Sequence, residues 1–308
     1  MPDVELEPWL HACRRSVDAM REMLGARSTI AERAIETGTR GAGGDRTLQI
    51  DAAAETLVFA ELERLHADGV DFTVLSEERG SVRYCRAGRA GDDPGLIVVV
   101  DPIDGSLNAK RGLPHHSVSI AVATGGQDAT MADVRFGFVY DFGPREEWWA
   151  LSGEGAMLNG RPLDPAAGER RGGDGRLEVI GIESADPRWL RESADGLQSC
   201  AYRVRVLGTI ASSLCQVAAA RLDGLVSLRA CRAVDAAAGQ LIVREAGGHV
   251  SFPASGAPLG APLDAAPHSP VCAARTRQTL AELERIPGLT GADRARKPAR
   301  TEPIPEPR

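Results

Sequence analysis

Two aspartates lie three residues apart in Asp101-Pro102-Ile103-Asp104-Gly105-Ser106, directly after the apolar run Leu96–Val100. Carboxylates that close repel one another unless a cation sits between them. Hard divalent ions such as Mg²⁺ take oxygen ligands, and the Ile103 carbonyl can serve the same ion. Pro102 and Gly105 stiffen the turn. A helix opening after Gly105 would aim free N–H groups at a bound phosphate, with the Ser106 hydroxyl beside them. The competing explanation is an Asx-turn in which Asp104 only caps that helix.

Three further acidic segments weigh against so plain a turn. Ser76-Glu77-Glu78 also closes an apolar strand and is expected to lie beside Asp101 on one sheet. Asp235 opens an alanine-rich helix, where an Asp is ordinarily a cap. Asp45 and Asp51 flank the glycine-rich stretch, and Asp51 too has a capping explanation. His115 and His116 are adjacent; in a strand they would point to opposite faces, which argues against joint metal ligation and for surface or packing roles. Nucleophile elbows, P-loops and His/Cys zinc spacings are missing from the chain.

The elements that must hold these residues are readable from periodicity. Helices are predicted over 7–24, 51–67, 212–221 and 236–246, the last stopped by Gly247-Gly248. Strands are predicted over 72–75, 96–100, 117–124, 134–140, 147–151, 177–182, 202–206 and 225–228. Thr37–Asp45 reads as a mobile glycine loop, Arg79–Pro94 as a polar surface excursion, and turns fall at 153–155 and 159–160. This mixture of alternating and meandering elements suggests layered helices and sheets. We expect one domain over 1–290, with subdomains of about 1–165 and 176–290, and a disordered tail over 291–308.

A formal net charge of -7 argues against a general nucleic-acid binder. An anionic substrate stays possible, because carboxylate-held cations make a locally positive site. The six cysteines show no CxxC pairing, which fits reduced thiols. The N-terminus lacks the basic and apolar regions of a signal peptide, and no run approaches about 18 apolar residues. A soluble cytoplasmic enzyme is the expectation.

The chain resembles the inositol monophosphatase and fructose-1,6-bisphosphatase superfamily of lithium-sensitive type phosphatases, nearest to the archaeal branch with both activities. The resemblance rests on segments 43–55, 75–80, 98–123 (VVVDPIDGSLNAKRGLPHHSVSIAVA), 153–163, 205–224 and 234–248 (VDAAAGQLIVREAGG), in the family's order. It implies a layered αβαβα sandwich and a Mg²⁺-dependent phosphatase using two or three ions. It further implies that Glu77, Asp101 and the Ile103 carbonyl hold one ion, and Asp101, Asp104 and Asp235 a second. Glu77 and Ser106 would orient the attacking water, Asp51 would hydrogen-bond Ser106, and Glu78 would stand behind them. Many relatives carry Thr where this chain has Ser106, so a reduced rate is expected.

On the substrate side the resemblance implies contacts from Asp104, Gly105, Ser106, Arg205, Ile210, Arg229 and Asp235. Inositol-specific relatives place a Glu where this chain has Leu228. Arg205 and Arg229 are chemically suited to a second phosphate, with solvated strand-end arginines as the bland alternative. Fructose 1,6-bisphosphate and inositol monophosphate are therefore the leading substrates. A 3′(2′),5′-bisphosphate nucleotidase of the same superfamily and a weakly active scaffold are the alternatives. Relatives are commonly dimers, so a homodimer is expected, with no nucleic-acid or membrane partner.

Overall fold

The computed structural model describes residues 4–27, 29–42, 46–86 and 93–286. In chain order the first half contains α1 (Leu6–Gly25), α2 (Ile30–Arg33), β1 (Glu36–Arg40), β2 (Arg46–Leu48), α3 (Gln49–Ala67), β3 (Phe72–Ser76) and β4 (Gly80–Tyr84). It continues through β5 (Leu96–Asp104), α4 (Ser106–Arg111), β6 (Ser117–Thr124), β7 (Val134–Asp141), β8 (Glu146–Leu151), β9 (Gly155–Leu158) and β10 (Arg161–Pro162). The second half holds β11 (Leu177–Glu183), α5 (Pro187–Cys200), β12 (Ala201–Arg205), α6 (Ile210–Ala218) and β13 (Gly224–Ser227). It ends with α7 (Ala233–Glu245), β14 (His249–Ser251), β15 (Cys272–Ala274) and α8 (Arg277–Leu283).

An eight-stranded sheet runs β10-β9-β8-β7-β6-β5-β3-β4, and a five-stranded sheet runs β12-β11-β13-β15-β14. Three apolar cores lie between the layers. Trp9, Leu10 and Val17 of α1 and Val58 and Phe59 of α3 pack on Val98, Val100, Phe136 and Phe138, one face of the large sheet. Its other face, through Ile97, Val99 and Trp148, meets Leu214 and Val217 of α6 and Leu241 of α7, which reach Leu225 and Ala273 of the small sheet. Leu197 and Leu283, from α5 and α8, cover the far side of that sheet. The result is the expected αβαβα sandwich. A strand covered on both faces must be apolar throughout, and that is why β5 reads as LIVVV without alternation.

Several local readings are corrected. Thr37–Arg40 is not loop: it belongs to β1, which pairs antiparallel with β2. Gly43 to Asp45 fall outside the described residues, as do 87–92 and the tail. Gly80–Tyr84, expected as excursion, is β4, paired with β3 along its full length. Its partly exposed edge position lets Arg83 and Ser81 alternate with Val82, which hides the strand from a search for apolar runs. Helices α5 and α8 and strands β14 and β15 were not read from the sequence; α5 buries only Ser193 and Leu197. His115 and His116 precede β6 rather than lying in a strand, with His115 at φ 63. Among the described residues no helix is long and apolar enough to cross a membrane.

Candidate active site

Strands β3 and β5 are parallel neighbours, with Ser76 beside Val100. Their carboxyl ends therefore share one edge, bringing Glu77 next to Asp101. Residues at i and i+3 of a regular strand point to opposite faces. Here Asp101 opposes Ser119 while Asp104 opposes Ser117, so three steps on β5 match two on β6. That irregularity inserts one extra residue, a bulge, and turns both aspartates to the same side. Gly105 follows at φ 87, where a Cβ would meet the carbonyl oxygens of Gly208 and His115 at 3.1 Å. Glycine is thus required for the turn into α4.

Helix α3 supplies the next wall. Asp51 Oδ2 accepts from Leu48 N at 3.4 Å, the capping bond that its position predicts. One turn on, Glu55 accepts from Arg79 N at 3.1 Å and from the Ser76 hydroxyl, pinning the segment that carries Glu77. Thr47 Oγ1 donates to Glu78, and the Ala42 amide donates to the Glu78 carbonyl at 3.1 Å, so the β1–β2 ribbon is tied to the same edge. Asp104 Oδ2 accepts from Thr209 Oγ1 at 2.5 Å and from Ala211 N at 2.7 Å, at the start of α6. From α7, Asp235 accepts from Arg232 N at 2.8 Å.

These elements enclose an open cleft of about 430 Å³. Asp51, Glu77, Glu78, Asp101, Ile103, Asp104, Gly105 and Ser106 line it together, with Lys110 and Arg232. Asp235 is held at its border by Arg232, while Arg205, Ile210 and Arg229 are not among the lining residues. Ile210 begins α6, next to Thr209. Arg205 ends β12 and Arg229 follows β13, at the carboxyl edge of the small sheet.

Arg232 is the main residue that the sequence reading missed. Its guanidinium lies 2.7 Å from Glu77 Oε1 and 3.0 Å from Asp235 Oδ1. Only its spacing, three residues before Asp235 in the first turn of α7, hinted at such a contact. Glu55 was also missed, although it stands four residues from Asp51 on one face of α3.

Burial governs the electrostatics. Asp101, 1% exposed, has its carboxyl pushed far up by burial and then by the charges of Glu77, Asp104 and Asp235. Asp104 is raised by burial and by Asp235 despite the Thr209 and Ala211 donors. Burial raises Glu77 as well, against the pull of Arg232. Asp51 is pushed up to about 7 by burial, then by Glu78 and Glu77. Ser106 lies close enough to draw Asp51 back down slightly, but its clear hydrogen bond goes to the Ile103 carbonyl at 2.9 Å.

The donor set suits a hard divalent cation. It is all oxygen, and two buried carboxylate atoms, Asp51 Oδ1 and Asp101 Oδ1, have no hydrogen-bond partner. Such orphaned buried charge calls for a compensating cation. A finished shell is not preformed: among the described residues no three His, Cys, Asp or Glu groups are gathered as they would be around an ion. Arg232 and Thr209 hold three of the acids in the orientations given above.

A model of the inositol monophosphatase family matches residues 5–286. A fructose-1,6-bisphosphatase/inositol-1-monophosphatase of Methanothermobacter thermautotrophicus is 36% identical over 217 residues, 68% of this chain and 72% of the relative. The Nus factor SuhB of Pasteurella multocida is 34% identical over 210 residues, 67% of this chain and 71% of the relative. Among solved structures, the extragenic suppressor protein suhB of Bartonella henselae superposes with a TM-score of 0.68 at 26% identity, covering 90% of this chain and 98% of that one.

Proposed function

The chain belongs to the inositol monophosphatase family and is a phosphatase, and from that premise we propose that it hydrolyses a small sugar or polyol phosphate with Mg²⁺ as cofactor. The observation that carries this reading is the convergence of Glu77, Asp101, Asp104 and Asp51 on one cleft with two orphaned carboxylate oxygens. Glu77, Asp101 and the Ile103 carbonyl would hold one ion, and Asp101, Asp104 and Asp235 another, with Glu77 and a residue of the glycine-rich stretch helping to position a third. When bound, the ions would supply charge neutralisation of the phosphate, a nucleophile from water and stabilisation of the leaving oxygen.

The protein's own part is positional. Glu77 and Ser106 orient the incoming water. Asp51, in the first turn of α3, would hydrogen-bond Ser106 and hold its hydroxyl toward that water. The bulge keeps Asp101 and Asp104 facing the same reacting centre, which is worth far more than their mere presence. Arg205 and Arg229, at the carboxyl edge of the small sheet, would take a second phosphate or the sugar hydroxyls. Leu228 in place of an inositol-contacting Glu favours fructose 1,6-bisphosphate over inositol monophosphate.

The panel that tests this contains fructose 1,6-bisphosphate, inositol 1-phosphate and a 3′,5′-bisphosphonucleotide, each assayed with Mg²⁺. Release of phosphate from the first or second supports the reading, and preference for the nucleotide transfers it to the nucleotidase branch. A second reading, a regulatory homologue with weak turnover, draws on the Nus factor relatives. Failure of all three substrates with Mg²⁺ bound would select it.

A homodimer is proposed through β12, an edge strand of the small sheet. Tyr202 and Val204 alternate along it and Val206 follows its end, at 54%, 44% and 53% exposure, an apolar row that a second copy would cover.

A further inference from the structure

A second cavity, of about 480 Å³, lies at the opposite end of α7 and shares no lining residue with the acidic cleft. Asp235 and Arg244 are nine residues apart on α7, which at about 1.5 Å per residue separates the two sites by roughly 14 Å of helix. Arg244, Arg277 and His249 form the polar wall, and Val250, Leu259 and Leu280 contribute an apolar floor.

Two features mark this wall as a site for an anion. Among the described residues, neither Arg244 nor Arg277 has an ion-pair partner; Arg244 only donates to Gln240 Oε1, at 3.3 Å. The carboxylate in the cavity, Glu284, is engaged by the Ser251 hydroxyl. Further positive charge stands close behind. Arg275 donates to the carbonyls of Ala167, Ala218, Pro165 and Ala246, and Arg244 feels the positive charge of Arg135 as well as the opposing charge of Glu245, which is itself engaged by the amides of Gly153 and Gly155. His249 is held below its ordinary range by burial, then by Arg277 and Arg275. Four arginines gathered within a chain of formal net charge -7 concentrate a positive field at one spot. Guanidinium forks match phosphate oxygens in pairs, and a pocket with a few polar groups over an apolar floor fits a small organic molecule.

We propose that the cavity between the last turn of α7, β14 and α8 binds a small organic phosphate, with Arg244 and Arg277 on the phosphate and Leu259 and Leu280 against the apolar part. The site is separate from the phosphatase cleft and does not depend on the reaction assigned to it.

Phenylphosphonate is a suitable probe, because its P–C bond resists hydrolysis and it carries both a dianion and an apolar ring. Amide resonances of the full-length protein are followed during its titration, with sodium chloride at matched ionic strength as the reference. Saturable shifts are expected at Gly248, Val250, Ser251 and Leu280. Arg277→Ala and Arg244→Gln should each weaken the affinity read there at least tenfold. Glu284→Gln should tighten it about threefold by removing the negative charge of the cavity lining, a gain that a misfolded variant would not show. Asp104→Asn should leave these shifts in place. Shifts confined to cleft amides, or reproduced by sodium chloride, would overturn the proposal. So would affinities unmoved by both Arg277→Ala and Glu284→Gln.

Discussion

At the carboxyl end of β5, Asp101 is buried with one oxygen unpaired, surrounded by other acids. At the carboxyl end of β11 in the smaller sheet, Glu183 is equally buried but fully surrounded by donors. It accepts from Leu207 N at 3.0 Å, Gly208 N at 3.0 Å and Ser213 Oγ at 2.6 Å. Both acids occupy the same kind of position, a strand end facing the α6–α7 layer. What differs is who supplies the positive partner. Glu183 finds it in the backbone and thereby ties down the turn that presents Thr209 to Asp104. At the acidic cleft Asp101 Oδ1 and Asp51 Oδ1 find no donor, and the cluster borrows Arg232. A buried acid with donors reads as structure; one without them reads as a cation site.

The comparison is broken most forcefully at the cluster itself. Asp104→Asn is expected to cut phosphate release by about 10³-fold, since several kcal/mol of charge stabilisation are lost; steady-state rates with saturating Mg²⁺ measure this. Chelation of divalent ions with EDTA should abolish turnover in the unaltered protein, and added Mg²⁺ should restore it.

Next in size is Arg232→Gln. Removing one partner of a largely buried ion pair strands Glu77 and Asp235, a loss of about 3 kcal/mol. Urea unfolding should show that loss without Mg²⁺ and much less of it with Mg²⁺ present. Equal destabilisation under both conditions would mean that Arg232 and cations do not serve the same acids.

The donor-rich side offers a pH test. Burial outweighs the three donors and pushes Glu183 up to about 7, from 4.5. The folded state then holds a proton that the unfolded state has released. Its stabilisation is complete below pH 4.5 and is lost as pH rises through about 7, by roughly 3 kcal/mol. Glu183→Gln should flatten the unfolding free energy across that window. Because three hydrogen bonds favour the ionised form, a slope of the opposite sign would show that the donors win.

The smallest effect is expected at the rim. Arg205→Ala and Arg229→Ala should each raise KM for a bisphosphate about tenfold, as a charge-assisted contact is lost, while kcat stays within about twofold. No change in KM would leave both as solvated strand-end arginines, consistent with their absence from the cleft lining.

Much of this was legible in the chain. The run LIVVV announced a doubly covered strand, and DPIDGS announced acids at its end, because apolar β-branched residues and Pro/Gly turns act locally. The helices of the core, α3, α6 and α7, were readable for the same reason, through apolar stripes at helical spacing. The edge strand β4 and the sparsely buried α5 escaped because they bury too little to pattern their sequences.

By itself, then, the sequence determined the acids, the glycine that follows Asp104, and Arg205 and Arg229 as candidates. Only the tertiary structure decided that a bulge turns Asp101 and Asp104 to one side, that Arg232 enters their midst, and that Glu183 is already satisfied. Composition and spacing are properties of neighbours along the chain. The partner of a buried charge is chosen across the fold, by residues as far off in sequence as Leu207 is from Glu183 or Arg232 from Glu77, where desolvation makes every unpaired oxygen costly.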